Sequence, residues 1–298
     1  SYIAATVRAK VTLIEKAEMG GDCLNRGCVP SKALIRAAHA AAEVDRAKKF
    51  GVPAQRGMPD FGKVMAHVRA SIAAIEPNDS VERYTGLGVD VAIGRAKITS
   101  PWHVEITKDD GSKQTLSTKS IVIATGAAPF VPPLPGLDDV GYLTSDTLWG
   151  LRTLPSRLVV LGGGPIGCEL AQSFARLGSQ VTQIEMLPRI MIREDEEVSA
   201  YARKALEADG VTILTGHKAL RCEKRGDTKT IVVEANGQER AIEFDTLLCA
   251  VGRSARLKGF GLEELGITSA KMGSADFTAF VAKQVSDWQP AIKAADLK

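Results

Sequence analysis

Short apolar runs alternate with amphipathic stretches along the chain, the order expected of strand–helix–strand units around a parallel sheet. Val11–Glu15 (VTLIE) predicts a buried strand, and residues 1–10 before it read as the end of an amphipathic helix. An Ala-rich helix is expected from about Pro30 to Phe50, another helix over 61–76, and a run of strands and turns over 88–124. Within that run, Ile121–Ala124 reads as a short apolar strand closed by Thr125 and Gly126. The Pro-rich stretch Pro129–Gly136 marks a crossing between domains. The pattern then restarts with strand Arg157–Leu161, helix Pro165–Leu177, strand Gln180–Glu185, helix Glu196–Ala208 and strand Val211–Thr215. Strands joined by hairpin turns follow over 219–249.

The pattern carries a weak internal repeat. AKVTLIE (Ala9–Glu15) returns as SQVTQIE (Ser179–Glu185), each preceded by a helix. Two copies of one nucleotide-binding unit would produce this pair; chance similarity of two short strands is the alternative. The predicted fold is α/β, with two Rossmann-like dinucleotide-binding units.

Composition removes several other classes. With 38 basic and 35 acidic side chains the net charge is +3, too balanced for a nucleic-acid or membrane-surface binder. No apolar run is long enough for a transmembrane helix, and SYIAATVRAK lacks the layout of a signal peptide. Five cysteines in 298 residues are too few, and odd in number, for a secreted disulfide framework, so a reducing cytoplasm is expected. All six methionines are internal and residue 1 already reads as helix, so a missing upstream segment is expected.

Two segments carry candidate chemistry. Gly162-Gly163-Gly164-Pro165-Ile166-Gly167 is a GxGxxG between a strand and a helix. There Gly162 makes the tight turn, Gly164 lets a pyrophosphate approach the backbone, and Gly167 lets helix and strand pack closely. Pro165 and Ile166 open the helix, whose free N–H groups face the phosphates. Glu185 ends the next strand, where a carboxylate binds ribose hydroxyls and repels a 2′-phosphate, favouring NAD over NADP; Arg189 nearby weakens that preference. Glu15 occupies the equivalent point of the first repeat, but the glycine loop that would precede it is absent from the sequence. Its alternative reading is an exposed charge at a strand end.

The second segment is GGDCLNRGCVPSK, Gly20–Lys32. A Gly-containing loop can bring Cys23 and Cys28 within bonding range, and Pro30 at a helix start places Cys28 near the positive end of the dipole, favouring a thiolate. No further Cys or His lies close enough in sequence for a tetrahedral zinc site. Two unrelated buried cysteines are the remaining alternative. Cys168, Cys222 and Cys249 read as packing residues.

GGDCLNRGCVPSK closely resembles the active-site segment of the class I pyridine nucleotide–disulfide oxidoreductases, the FAD family that includes dihydrolipoamide dehydrogenase, glutathione reductase and mercuric reductase. The resemblance continues through Ile123–Pro129 (IATGAAP) and Ala250–Arg253 (AVGR). It implies that Cys28 faces the flavin as a thiolate, that Cys23 exchanges with the substrate disulfide, and that Lys32 beside flavin N5 pairs with Glu169. It further implies FAD contacts at Glu15, Gly21, Asp22, Lys32 and Ala96, and at Ala124, Thr125 and Gly126. NAD contacts are implied at Gly162, Gly164, Pro165, Ile166, Gly167, Glu185, Gly252 and Arg253.

The resemblance implies a dihydrolipoamide dehydrogenase-like disulfide/dithiol oxidoreductase that uses FAD and NAD, on a small-molecule or protein-bound substrate. A mercuric reductase-like enzyme and a truncated, non-catalytic NAD(H)-binding remnant are the alternatives. It divides the chain into an FAD-binding domain over 1–145 lacking its first strand and glycine loop, an NAD-binding domain over 146–267, and an atypical helical tail over 268–298. The family's carboxyl-terminal homodimerisation domain, with its catalytic His–Glu dyad, is missing, and none of the four histidines matches that dyad. Little or no turnover is therefore expected of this chain alone. The tail has Phe277, Phe280, Val281, Val285, Trp288 and Ile292 on one helical face and weakly resembles the last helix of periplasmic solute-binding proteins of tripartite tricarboxylate transporters, as a junction of unrelated genes would produce.

Overall fold

The computed structural model describes residues 1–268 and 273–294. They fall into two compact units, one of Ser1–Ala96, Ile106–Lys113 and Val122–Arg256, the other of Lys97–Glu105, Gln114–Ile121 and Leu257–Lys298. In the first unit α1 (Tyr2–Thr6) and β1 (Val11–Glu15) are followed by α2 (Gly21–Asn25), α3 (Cys28–Ala47), α4 (Phe61–Ile75), α5 (Val81–Gly86) and β2 (Val89–Ile93). Strands β3 (Arg95–Ser100), β4 (His103–Thr107) and β5 (Lys113–Ser117) form a three-stranded sheet in that order.

The chain continues through β6 (Ala127–Pro129), α6 (Leu137–Val140), β7 (Leu143–Thr144), β8 (Arg157–Leu161), α7 (Pro165–Leu177), β9 (Gln180–Glu185), α8 (Glu196–Ala208) and β10 (Val211–Thr215). Then come β11 (Lys218–Arg225), β12 (Thr228–Ala235), β13 (Gln238–Phe244), β14 (Thr246–Cys249) and β15 (Arg253–Ala255). A parallel sheet of order β10-β9-β8-β14-β7 is the centre of this unit, and β11-β12-β13 form an antiparallel sheet.

Strand β8 shows why the sheet is covered on both sides. Its side chains alternate, so Leu158 and Val160 enter one buried cluster with Leu34, Met65 and Phe174, while Val159 and Leu161 enter another with Ile231, Val233 and Phe244. Helix α7 has Gly164 as N-cap, Pro165 in its first turn and Gly178, at φ +115°, past its end, the punctuation that fixes helix limits in a sequence. Helices α3 and α7 pack together through small residues such as Ala33, Ala38 and Ala171. Asp209, beyond the end of α8, clamps their carboxyl-terminal halves: its oxygens lie 3.1 Å from Arg46 Nη2, 2.8 Å from Gln172 Nε2 and 2.7 Å from Arg176 Nη2.

Three local expectations change. Ile121–Ala124 is not a strand, and Val122 is 88% exposed. Strands β1 and β2 pair only with each other among the described residues, so no ladder reaches this apolar segment and its backbone stays unpaired. The cysteine segment is not an open loop, because Cys23 lies in helix α2. Helix α3 begins at Cys28 itself, two residues before Pro30.

In the second unit, the Ile98 N–H donates to Phe260 O at 2.8 Å and Lys97 pairs with Glu264 at 2.6 Å. Its α9 (Ser274–Ala294) realises the expected helical tail, yet Phe277, Phe280, Val281 and Val285 are exposed. The side chains of Trp288 and Ile292 lie outside the described residues.

Candidate dithiol and dinucleotide site

The cysteines meet because glycines fold the segment tightly. Gly20 has φ +87°, and a Cβ there would overlap the Leu24 side chain. Asn25 Nδ2 donates to Met19 O at 2.9 Å and Gly21 O at 3.0 Å, closing α2 on itself. A Cβ on Gly27 would lie 2.9 Å from Asp22 O, so only glycine lets the chain turn directly from α2 into α3. Cys23 and Cys28 are both exposed. The Cys23 thiol is raised above its ordinary pKa, first by its hydrogen bond with Cys28 and then by desolvation. Cys28 is the first residue of a 20-residue helix, where the dipole favours the anion. The pair is therefore asymmetric: the hydrogen bond holds the proton on Cys23.

One turn further along α3, Lys32 Nζ donates to both oxygens of Glu169 on α7, each at 2.8 Å. Their side chains are 60% and 42% exposed, so the pair adds little to stability and instead fixes an ammonium next to the cysteine-bearing turn.

At the second segment, the glycines divide their roles as their spacing implies. Gly162 has φ +115° and no room for a Cβ against Ala250 O, Gly167 packs on Gly162 O, and Gly164 has nothing within 4 Å of a Cβ position. The open surface of Gly164 therefore lies at the start of α7, beside N–H groups that have no intrahelical partner, a cradle that fits a pyrophosphate. Glu185 Oε2 accepts from Gly163 N at 2.6 Å and Oε1 from Leu187 N at 2.8 Å. An ionised carboxylate retains further lone pairs for hydroxyls.

The repeat is visible in three dimensions. Glu15 Oε1 accepts from Ala17 N at 2.8 Å, just as Glu185 accepts from Leu187, two residues on. Each glutamate's carbonyl also receives an N–H from just beyond the neighbouring parallel strand, Gly94 at 2.8 Å and His217 at 3.1 Å. Ala96 sits half-buried in β3, two residues past Gly94.

Arg253 joins segments distant in sequence. Its Nη2 donates to Asp22 Oδ2 at 2.5 Å and Ala127 O at 2.8 Å, and its Nη1 to Ser145 Oγ at 3.1 Å and Asp146 Oδ1 at 3.2 Å. Thr125 Oγ1 donates to Arg256 O at 2.7 Å, and Arg256 N to Gly126 O at 3.0 Å. Ala124, Thr125 and Gly126 are exposed, and Gly252, at φ +134°, has nothing within 4 Å of a Cβ position.

Thus Cys23 with Cys28, Lys32 with Glu169, and Asp22 with Arg253 are each brought together, while Glu15 and Ala96 stand at the β1–β2 end. The sequence reading missed Asp146, whose signal was only that of a loop acid, and Gln183, an amide inside an apolar strand. Among the described residues no group of three or more His, Cys, Asp or Glu could hold a metal ion, and no helix is long and apolar enough to cross a membrane.

A polarised dithiol, one strand–loop–helix unit of dinucleotide-binding type and a second strand ending in a matching glutamate define a nucleotide-linked dithiol protein of α/β fold. The profile of the pyridine nucleotide-disulphide oxidoreductases matches residues 2–285, and the chain belongs to that family. It is 32% identical over 265 residues to a mercuric reductase of Staphylococcus aureus, covering 89% of this chain and 48% of that protein. To the mitochondrial dihydrolipoyl dehydrogenase of Dictyostelium discoideum it is 36% identical over 277 residues, covering 91% and 56%. Among solved structures it resembles LpdA of Mycobacterium tuberculosis with a TM-score of 0.79 and 25% identity, covering 91% and 59%. The flavoprotein disulfide reductase RclA of Escherichia coli gives 0.76 and 26%, covering 91% and 57%. The chain spans about half the length of the curated relatives it matches.

Proposed function

We propose that the chain carries the dithiol centre and nucleotide site of an FAD-dependent, NAD(H)-linked disulfide/dithiol oxidoreductase of the dihydrolipoyl dehydrogenase kind, working in the cytoplasm. We assign 1–145 to flavin binding and 146–267 to NAD binding. The observation that carries the reading is the Lys32–Glu169 pair, which joins the helix that starts at Cys28 to the helix opened by the glycine loop.

In the oxidised state, a thiolate of the substrate dithiol attacks Cys23 of a Cys23–Cys28 disulfide and expels Cys28 as a thiolate. The second substrate thiol then displaces Cys23, which takes up a proton, and the substrate leaves as its disulfide. The helix dipole stabilises the leaving Cys28, and the hydrogen bond from Cys23 keeps the resulting pair at one proton. FAD, when bound, would supply a two-electron acceptor for the dithiol and a hydride donor for NAD⁺. The open, left-handed Gly21, the left-handed Gly126 beside Asp22 and the exposed Lys32 ammonium fit a planar cofactor beside Cys28; Lys32 supplies positive charge, and Glu169 orients it.

Glu185 would hold the ribose hydroxyls of NAD. Arg189 does not counter that preference, since its guanidinium is occupied by the carbonyls of Met191, Ile192 and Glu194 at 3.4, 3.0 and 2.8 Å. The test is the absorption of the FAD-loaded chain near about 450 nm. Dihydrolipoamide and NADH should each bleach it, and Cys28→Ser should abolish bleaching by the dithiol while leaving that by NADH. Dithiol bleaching that survives Cys28→Ser, or failure to retain flavin, would overturn the proposal.

A further inference from the structure

Strand β9 contains one residue out of keeping with its surroundings. Gln183 is fully buried, at 0% exposure, beside buried Val181 and Ile184, and its Oε1 has no hydrogen-bond partner among the described residues. The twin strand, VTLIE, carries Leu13 at the matching position, so this strand type accepts an apolar side chain there. An amide that buries an unpaired acceptor is a poor choice for stability alone.

Its Nε2 shows what it does. It donates to Gly162 O at 3.0 Å and approaches Cys168 Sγ at 3.5 Å, while the Cys168 thiol donates to Gly163 O at 3.4 Å. The peptide unit is planar and trans, so a carbonyl and the following N–H point in opposite directions. Holding Gly162 O beneath the loop therefore turns Gly163 N–H the other way, onto Glu185 Oε2 at 2.6 Å. Holding Gly163 O, which also accepts from Met191 N at 2.7 Å, turns Gly164 N–H outward in the same manner.

We propose that Gln183 is a positioning residue for the nucleotide site: by fixing the Gly162–Gly163 peptide plane from below, it aims Gly163 N–H at Glu185 and so sets the carboxylate for the ribose. The inference rests on the NAD(H) reading given above. Cys168 steadies the next peptide plane, a use for a buried thiol whose pKa is raised by desolvation.

The test measures NADH binding by fluorescence and thermal unfolding on the full chain, for wild type, Gln183→Leu, Gln183→Met, Glu185→Gln and the Gln183→Leu/Glu185→Gln double variant. Both Gln183 variants should weaken NADH by about tenfold, as loss of one positioned hydrogen bond does, while the unfolding temperature changes little, because the freed Gly162 carbonyl offsets removal of the unpaired amide oxygen. Because Gln183 acts through Glu185, the double variant should bind no more weakly than Glu185→Gln alone. NADH affinity within twofold of wild type, or additive losses in the double variant, would overturn the inference. A wild-type chain that binds no NADH would overturn the nucleotide reading itself, a result distinct from normal binding by the Gln183 variants.

Discussion

Replacing Glu185 separates the two tasks the structure gives it. The carboxylate accepts from Gly163 N at 2.6 Å and from Leu187 N at 2.8 Å, and it is half-buried. Hydrogen bonds to a charged acceptor contribute about 1.5–3 kcal/mol each, and partial exposure places these at the low end. Glu185→Ala removes both and should lower stability by about 2–3 kcal/mol, whatever nucleotide is present. Glu185→Gln keeps the length and one acceptor oxygen but abolishes the charge. Both variants remove the repulsion of a 2′-phosphate, so the NADH preference over NADPH should narrow by about 1–3 kcal/mol, or roughly 5- to 150-fold. In Glu185→Gln this narrowing should come with a smaller loss of stability than in Glu185→Ala. Parallel titrations of NADH and NADPH by fluorescence, with urea unfolding of the same samples, provide both numbers. An unchanged NADH:NADPH ratio in both variants, or a wild type that binds NADPH as tightly as NADH, would refute the reasoning.

The loop glycines give an opposed pair of outcomes. Gly162→Ala, at φ +115° and against Ala250 O, should destabilise by about 2 kcal/mol or more in thermal unfolding, whereas Gly164→Ala, with nothing within 4 Å, should leave stability unchanged and weaken NADH binding. Asp209→Ala should cost about 3 kcal/mol in urea unfolding, since it strands Arg176; their side chains are only 11% and 12% exposed. Iodoacetamide should label Cys28 before Cys23 as pH is raised from neutrality, because the raised Cys23 pKa keeps that thiol protonated to higher pH; peptide mapping at a series of pH values reads the order.

The second half of the fold was legible where local and tertiary signals agree. Pro165 and Gly178 bracket α7, and β8, α7, β9, α8 and β10 have the limits their periodicity predicts. Segments whose state depends on a distant partner were not legible. Ile121–Ala124 has the composition of a strand, yet a strand exists only where a ladder meets it, and no described strand does. Helix α2 was hidden because its first residue is Gly21, a poor helix former, and the closure comes from the Asn25 side chain. In the site, Lys32–Glu169 could be anticipated only through the family motif, since nothing local ties residues so far apart. Arg253 with Asp22 and Asp146, and the Asp209 clamp, are long-range pairings that no local pattern encodes. Gln183 did leave a trace: one amide at a strand position where the repeat has leucine.

The central claim is that Cys23 and Cys28 form one reversible redox pair while the buried Cys168, Cys222 and Cys249 stand apart from it. Burial pushes the Cys222 and Cys249 thiols up to about 11 and about 12, so neither offers a thiolate near neutral pH. The most direct measurement is alkylation of the denatured chain after mild oxidation, with and without prior dithiol reduction, read by intact mass and peptide mapping. The account predicts two fewer labels in the oxidised sample, both missing from the peptides of Cys23 and Cys28 and both restored by dihydrolipoamide. Equal labelling of the two samples, or a disulfide that includes any of the three buried cysteines, would contradict it.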